Sequence, residues 1–167
     1  GDIIRETRKQ VGPDTAIILR FSQWKQQDYT ARLAQTPAEF EAFLKVFVDA
    51  GVDVLHASQR RYWEPEFPDV DGENGLNTAA WAKKLTGLPS ITVGSVGLTG
   101  DFEKAFRGEG ATVRRLDDLE ERLDKGEFDM VAVGRALLQD PDWATKVREG
   151  RSDELKDYDA KSLAVLY

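Results

Sequence analysis

Four short apolar runs punctuate the sequence, at residues 16–21 (AIILRF), 52–57 (VDVLHA), 90–93 (SITV) and 129–133 (DMVAV), and a helix-forming stretch follows each. Runs that stay apolar instead of alternating belong to strands buried on both faces, and connections of this length suit right-handed crossovers. Strand then helix, four times over, predicts an α/β fold with a parallel sheet. The clearest helix start is Thr36-Pro37-Ala38-Glu39, a capping box with proline at the first helical position. Phe40, Phe43, Leu44, Phe47 and Val48 follow at helical spacing up to Gly51. Helices are also expected over residues 78–85, 101–107 and 116–125, and after Asp140-Pro141, which is expected to cap a helix carrying Trp143, Ala144 and Val147. Residues 3–10 read as the tail of a helix whose beginning is missing, and residues 161–166 as weakly helical. Residues 58–76 form a long loop holding the aromatics Tyr62, Trp63 and Phe67.

Two strand ends stand apart. The run at 91–93 stops at Gly94-Ser95-Val96-Gly97, and the run at 130–133 stops at Gly134-Arg135 before entering another helix. Backbone N–H groups at such turns have no partner inside the helix and favour an anion. Two adjacent turns of this build, one with an arginine, look like the jaws of a phosphate clamp. In barrels of alternating strands and helices, the loops after the seventh and eighth strands often form a phosphate site beside a short extra helix, which residues 135–139 would supply. The plainer alternative is that both glycines only permit tight turns.

A hydrophobic share of 41% supports one cored domain, and a net charge of −7 argues against nucleic-acid or acidic-membrane partners, which need a basic surface. With no cysteine, disulfides, thiolate metal sites and cysteine nucleophiles are excluded, and no metal site is assigned. No apolar run approaches the ~20 residues that cross a bilayer, so a cytoplasmic protein is the default expectation. Four strand–helix units are too few for a closed eight-stranded barrel of ~250 residues, which leaves a small open sheet or half of a barrel.

The residues Ile18-Leu19-Arg20-Phe21-Ser22 with Trp24, the stretch 50–58 (AGVDVLHAS), the stretch 91–97 (ITVGSVG), and 130–138 (MVAVGRALL) with Asp140-Pro141 and Trp143 resemble the C-terminal half of Old Yellow Enzyme-type NADH:flavin oxidoreductases. The resemblance runs nearly end to end. It implies half of a (β/α)8 TIM barrel, with units like strands five to eight, and residues 1–167 as a single C-terminal half-barrel whose N-terminal half is absent. It further implies FMN as cofactor and NADH or NADPH as reductant, with hydride passing through FMN to an activated alkene or similar small-molecule acceptor.

By the same resemblance, Arg20 would face the pyrimidine edge of FMN and stabilise negative charge on the reduced ring. The plainer alternative for it, given less weight, is an ion pair with one of the many carboxylates. Gly94, Ser95, Gly134 and Arg135 would hold the FMN phosphate through N–H groups and a guanidinium. Tyr62 and Trp63 would approach the flavin or the substrate mouth, or else form a local mini-core. His56 is expected as a hydrogen-bonded core histidine. The family's substrate-activating residues lie in its first half, so no catalytic residue is assigned. Little activity is expected from the isolated chain, and its expected partner is a second copy or a complementary N-terminal half-barrel. Two rivals remain: a lyase or isomerase gripping a metabolite's own phosphate, and a non-catalytic phosphate-binding half-barrel.

Overall fold

A computed structural model describes residues 1–25 and 28–164. Its strands are β1 (Ile18–Phe21), β2 (Trp24–Lys25), β3 (Asp28–Arg32), β4 (Val54–Ser58), β5 (Ser90–Val93) and β6 (Met130–Val131). The helices are α1 (Asp2–Val11), α2 (Pro37–Val48), α3 (Pro68–Asp71), α4 (Thr78–Thr86), α5 (Phe102–Phe106), α6 (Asp117–Asp124), α7 (Arg135–Gln139) and α8 (Trp143–Arg148). Strands β1, β4, β5 and β6 pair in that order, all parallel, with Arg20 beside His56, His56 beside Ile91 and Ile91 beside Met130.

Register at the N-terminal edge of this sheet is tied by one device used twice. Asp53, just before β4, accepts the Ile17 N–H at 2.7 Å, and Asp129, just before β6, accepts the Ser90 N–H at 2.9 Å. Each carboxylate is also paired with a cation from a helix, Arg8 of α1 and Lys83 of α4. An acidic residue inside an otherwise apolar run is thereby explained: it satisfies the first N–H of the neighbouring strand.

Helix α2 begins as its sequence requires. The Thr36 hydroxyl accepts the Glu39 N–H, and Glu39 reaches back to the Gln35 N–H at 2.7 Å, one residue earlier than the standard reciprocal bond. The Asp140-Pro141 cap is a correction. No side-chain cap forms on α8; Asp140 is buried and pairs with Lys146 at 2.7 Å, because its carboxylate has a cation within reach one turn along the helix. The long loop contains α3, and the tail ends in a 3-10 turn at Ala160–Ala164, with the rest of the expected helix, residues 165 and 166, outside the described residues.

The β2–β3 hairpin is absent from the sequence reading. What holds it is a buried polar cluster: Glu66 takes the Trp24 Nε1–H at 3.0 Å and an Arg32 N–H at 2.9 Å, while the Arg32 guanidinium lies over the Trp24 and Phe67 rings. A buried carboxylate is tolerable only when so fully paired.

The two faces of the sheet differ. Leu55, Ala57, Ser90 and Thr92 point to the side covered by helices and are fully buried, in cores built with Phe40, Leu44 and Trp81 on one flank and Leu119, Phe128 and Trp143 on the other. Ile18, His56, Ile91 and Met130 share the other face, where Ile18 is 54% and Met130 42% exposed. Apolar area left in water forfeits roughly 25 cal/mol per Å², and unpaired strand edges invite pairing. The isolated chain should therefore self-associate at micromolar concentration. Sedimentation velocity checks this, and a stable compact monomer would contradict it.

Candidate functional site

Because the four strands are parallel, their C-terminal ends lie together, and the segments that leave them meet around one cavity of ≈ 590 Å³. Arg20, Ser22 and Trp24 come from the first exit, Ser58, Gln59 and Arg60 from the second, Gly94 and Ser95 from the third, and Gly134 and Arg135 from the fourth. All five residues expected to bind cofactor thus line a single cavity. Trp24, Arg60 and Phe102 join them, and the sequence reading gave none of the three a role there. Arg60 was legible in principle, since Gln59-Arg60-Arg61 directly follows a strand end, as Gly134-Arg135 does.

The third exit turns where only glycine fits. Gly94 has φ +138°, and a Cβ there would lie 2.6 Å from the Gln59 carbonyl oxygen. Its own carbonyl accepts the Tyr62 N–H at 3.0 Å. Next to it, Ser95 is also left-handed (φ +50°), and its hydroxyl reaches the carbonyls of Arg60 at 3.2 Å and Gly100 at 3.0 Å. At the fourth exit Gly134 faces open space where a Cβ would be. A ligand can approach the backbone there.

The cations are arranged unequally. Arg60 is paired with Glu64 and Asp101 at 3.3 and 3.8 Å. Arg135 instead donates to neutral oxygens, the carbonyls of Gly100 at 2.7 Å and Asp101 at 2.9 Å and the Ser95 hydroxyl at 3.4 Å. Arg20, which is exposed, donates to the Ser58 hydroxyl at 3.2 Å. Among the described residues neither Arg20 nor Arg135 has a carboxylate partner, in a chain with 30 acidic residues. The ion pair held open for Arg20 does not form. Burial draws the Arg135 guanidinium below its ordinary value, and the nearby Tyr158 and Asp101 groups offset that only in part.

His56 is half-buried on the open face beside Arg20, and its Nε2 has no hydrogen-bond partner among the described residues, contrary to the expected bonded histidine. Burial, and then the Arg20 charge, lowers its pKa from 6.5 and favours the neutral ring. Tyr62 and Trp63 correct the expectation of a flavin or substrate mouth. Neither lines the cavity: Tyr62 is fully buried in the core, its ring edge-on to Trp63 at 5.0 Å, and its hydroxyl donates to Asp118 at 2.6 Å. The Arg114 guanidinium covers Trp63 at 3.9 Å. The mini-core alternative is the one the packing supports, because the rings pack against the α6 side of the sheet and not into the cavity at the strand exits.

Comparison with known proteins adds an independent line. The model of the NADH:flavin oxidoreductase / NADH oxidase family matches residues 2–154. An NADH oxidase of Thermoanaerobacter brockii is 32% identical over 159 residues, covering 93% of this chain and 21% of that protein. A cinnamate reductase of Clostridium sporogenes is 25% identical over 173 residues, covering 93% of this chain and 23% of that protein. The chain thus spans about a fifth of the length of these curated relatives. Among solved structures, morphinone reductase in complex with tetrahydroNAD matches with a TM-score of 0.57 at 16% identity, over 93% of this chain and 34% of the other. Such structural neighbours are TIM-barrel enzymes. Among the described residues no helix is long and apolar enough to cross a membrane.

Burial pushes the Tyr62 phenol up to about 12 from 10.0. The unfolded chain therefore loses this proton first, and stability should fall as pH rises from 10.0 to about 12. In denaturant melts Tyr62→Phe should show a shallower loss across that window than the parent. Equal slopes would contradict a protonated, buried phenol.

Proposed function

The chain belongs to the NADH:flavin oxidoreductase / NADH oxidase family, and on that premise we propose that it is the FMN-phosphate-holding half of a (β/α)8 barrel in an NAD(P)H-dependent flavin oxidoreductase. The acceptor we infer is an activated alkene or a similar small molecule, a reading supported by the cinnamate reductase among the relatives. The observation that carries the proposal is the pair of cavity arginines, Arg20 and Arg135, bonded to neutral oxygens in a strongly acidic chain. Arg135, half-buried and bonded among the described residues only to neutral oxygens, keeps its charge available to an anion, and the exposed Arg20 adds a second cation to the same cavity.

The residues fit FMN on three counts. The open space at the Gly134 Cβ position gives the phosphate access to backbone, the Gly94-Ser95 turn lies across the same cavity, and the cavity volume falls within the range of cofactor pockets. Arginine has five N–H donors, so Arg135 can bond its neutral neighbours and a phosphate together. When bound, FMN supplies the hydride relay between the nicotinamide and the acceptor. Arg135, Gly134, Gly94 and Ser95 would anchor the phosphate, and Arg20 would present its charge to the ring, favouring added negative charge there. No residue of this chain is assigned to proton transfer to the acceptor. Family membership favours a flavin's phosphate over a metabolite's own as the occupant, and the open sheet face is where the other half of the barrel, or a second copy, would close.

Loss of a charge-assisted contact weakens binding by about 1.5–3 kcal/mol, or roughly ten- to a hundredfold. In titrations Arg135→Ala should lose FMN affinity on that scale and leave riboflavin affinity almost unchanged, whereas equal losses for both ligands would refute the phosphate assignment. Arg20→Met should lower the flavin reduction potential by roughly 30 mV, equivalent to about 1.4 kcal/mol for a two-electron couple. An unshifted potential with FMN fully bound would remove Arg20 from this role.

A further inference from the structure

The tail that follows α8 is fastened to the segment between β5 and α6 at several points. Tyr158 and Ala111 exchange both backbone hydrogen bonds, at 2.7 and 3.0 Å, and Asp157 accepts the Val113 N–H at 2.7 Å. Gln139 accepts the Asp159 N–H at 2.9 Å, so the tail is also tied to the end of α7. The strap lies close: a Cβ on Gly110 would meet the Tyr158 carbonyl oxygen at 2.8 Å, and a Cβ on Gly100 would meet the Ala111 Cβ at 2.8 Å. The tail thus packs closely against Ala111, and Ala111 against Gly100, whose carbonyl accepts bonds from both Arg135 and Ser95.

The Tyr158 ring itself, 2% exposed, lies under the Arg135 guanidinium at 5.4 Å. An aromatic face attracts a cation but carries no net charge. A carboxylate in the same place would hold the guanidinium equally well and cancel the charge that an anion needs.

Resting on the phosphate reading above, we propose that Tyr158 is a positioning residue: the C-terminal strap uses its ring and its backbone bonds to fix Arg135 toward the ligand phosphate without neutralising it. The ring, not the hydroxyl, does this. The Tyr158 hydroxyl is buried and has no hydrogen-bond partner among the described residues.

The test titrates the intact apoprotein with FMN and with riboflavin, for the parent, Tyr158→Phe, Tyr158→Leu and Asp157→Ala. The parent's preference for FMN reports the phosphate reading itself, and its absence overturns that reading and the inference with it. Where the preference is present, Tyr158→Phe, which keeps the ring, should retain it. Tyr158→Leu should lose roughly tenfold of it, the scale of a desolvated cation–ring contact, with riboflavin affinity unchanged. A Leu variant that keeps the full preference, or loses both ligands equally, overturns the proposal. If Tyr158→Leu fails to fold, Asp157→Ala decides, because it loosens the strap from an exposed position. A reduced FMN preference with unchanged riboflavin affinity supports the proposal there, and an unchanged preference overturns it.

Discussion

The open end of the sheet is organised by how near two backbones come at Gly94. With a Gln59 oxygen 2.6 Å from where a side chain would start, the exit from β5 is pressed onto the exit from β4, and only a residue without a Cβ allows it. From that contact the rest follows. The Tyr62 N–H takes the Gly94 carbonyl, Ser95 turns left-handed and bonds to Arg60 and Gly100, and the Gly100 carbonyl receives Arg135 from the exit of β6. Three strand exits are joined by backbone-level constraints, so the cations around the cavity stand on rigid supports.

Electrostatics then separates structural charges from available ones. Asp53, Asp129, Glu66 and Asp140 are each paired with a cation, and these pairs serve the register of the sheet, the hairpin and α8. Among the described residues Arg20 and Arg135 are left out of this pairing, although acidic residues outnumber basic ones, 30 to 23. A buried pair is weak evidence for anything but specificity, whereas a cation held on neutral oxygens at a cavity wall points to a ligand.

Much of this was legible in the sequence. The four apolar runs gave the parallel sheet, since their continuous apolar character leaves few other homes, and the glycine turns after residues 93 and 133 marked two of the four cavity walls. What escaped depends on partners distant along the chain. The β2–β3 hairpin forms because Arg32 and Trp24 meet Glu66, more than 30 residues on, and no local periodicity announces that. Tyr62 and Trp63 were ambiguous because an aromatic pair in a long loop fits a binding mouth and a mini-core equally well, and only the Asp118 and Arg114 contacts decide between them. Asp140 has the residue type and position of a cap, and only its pairing with Lys146, six residues on, assigns it elsewhere. The strap residue Tyr158 gave no signal, as its partner Ala111 carries none either.

The central claim is that the Gly94-Ser95 and Gly134-Arg135 turns close on the phosphate of FMN. Phosphorus NMR of the flavin-loaded protein addresses that group alone. A free phosphate monoester takes up its second proton at about pH 6, so a phosphate held by Arg135 and backbone N–H groups should keep one dianionic signal from about pH 8 down to about pH 5. A bound-FMN signal that titrates at about pH 6, as the free cofactor does, would place the phosphate in water and contradict the account.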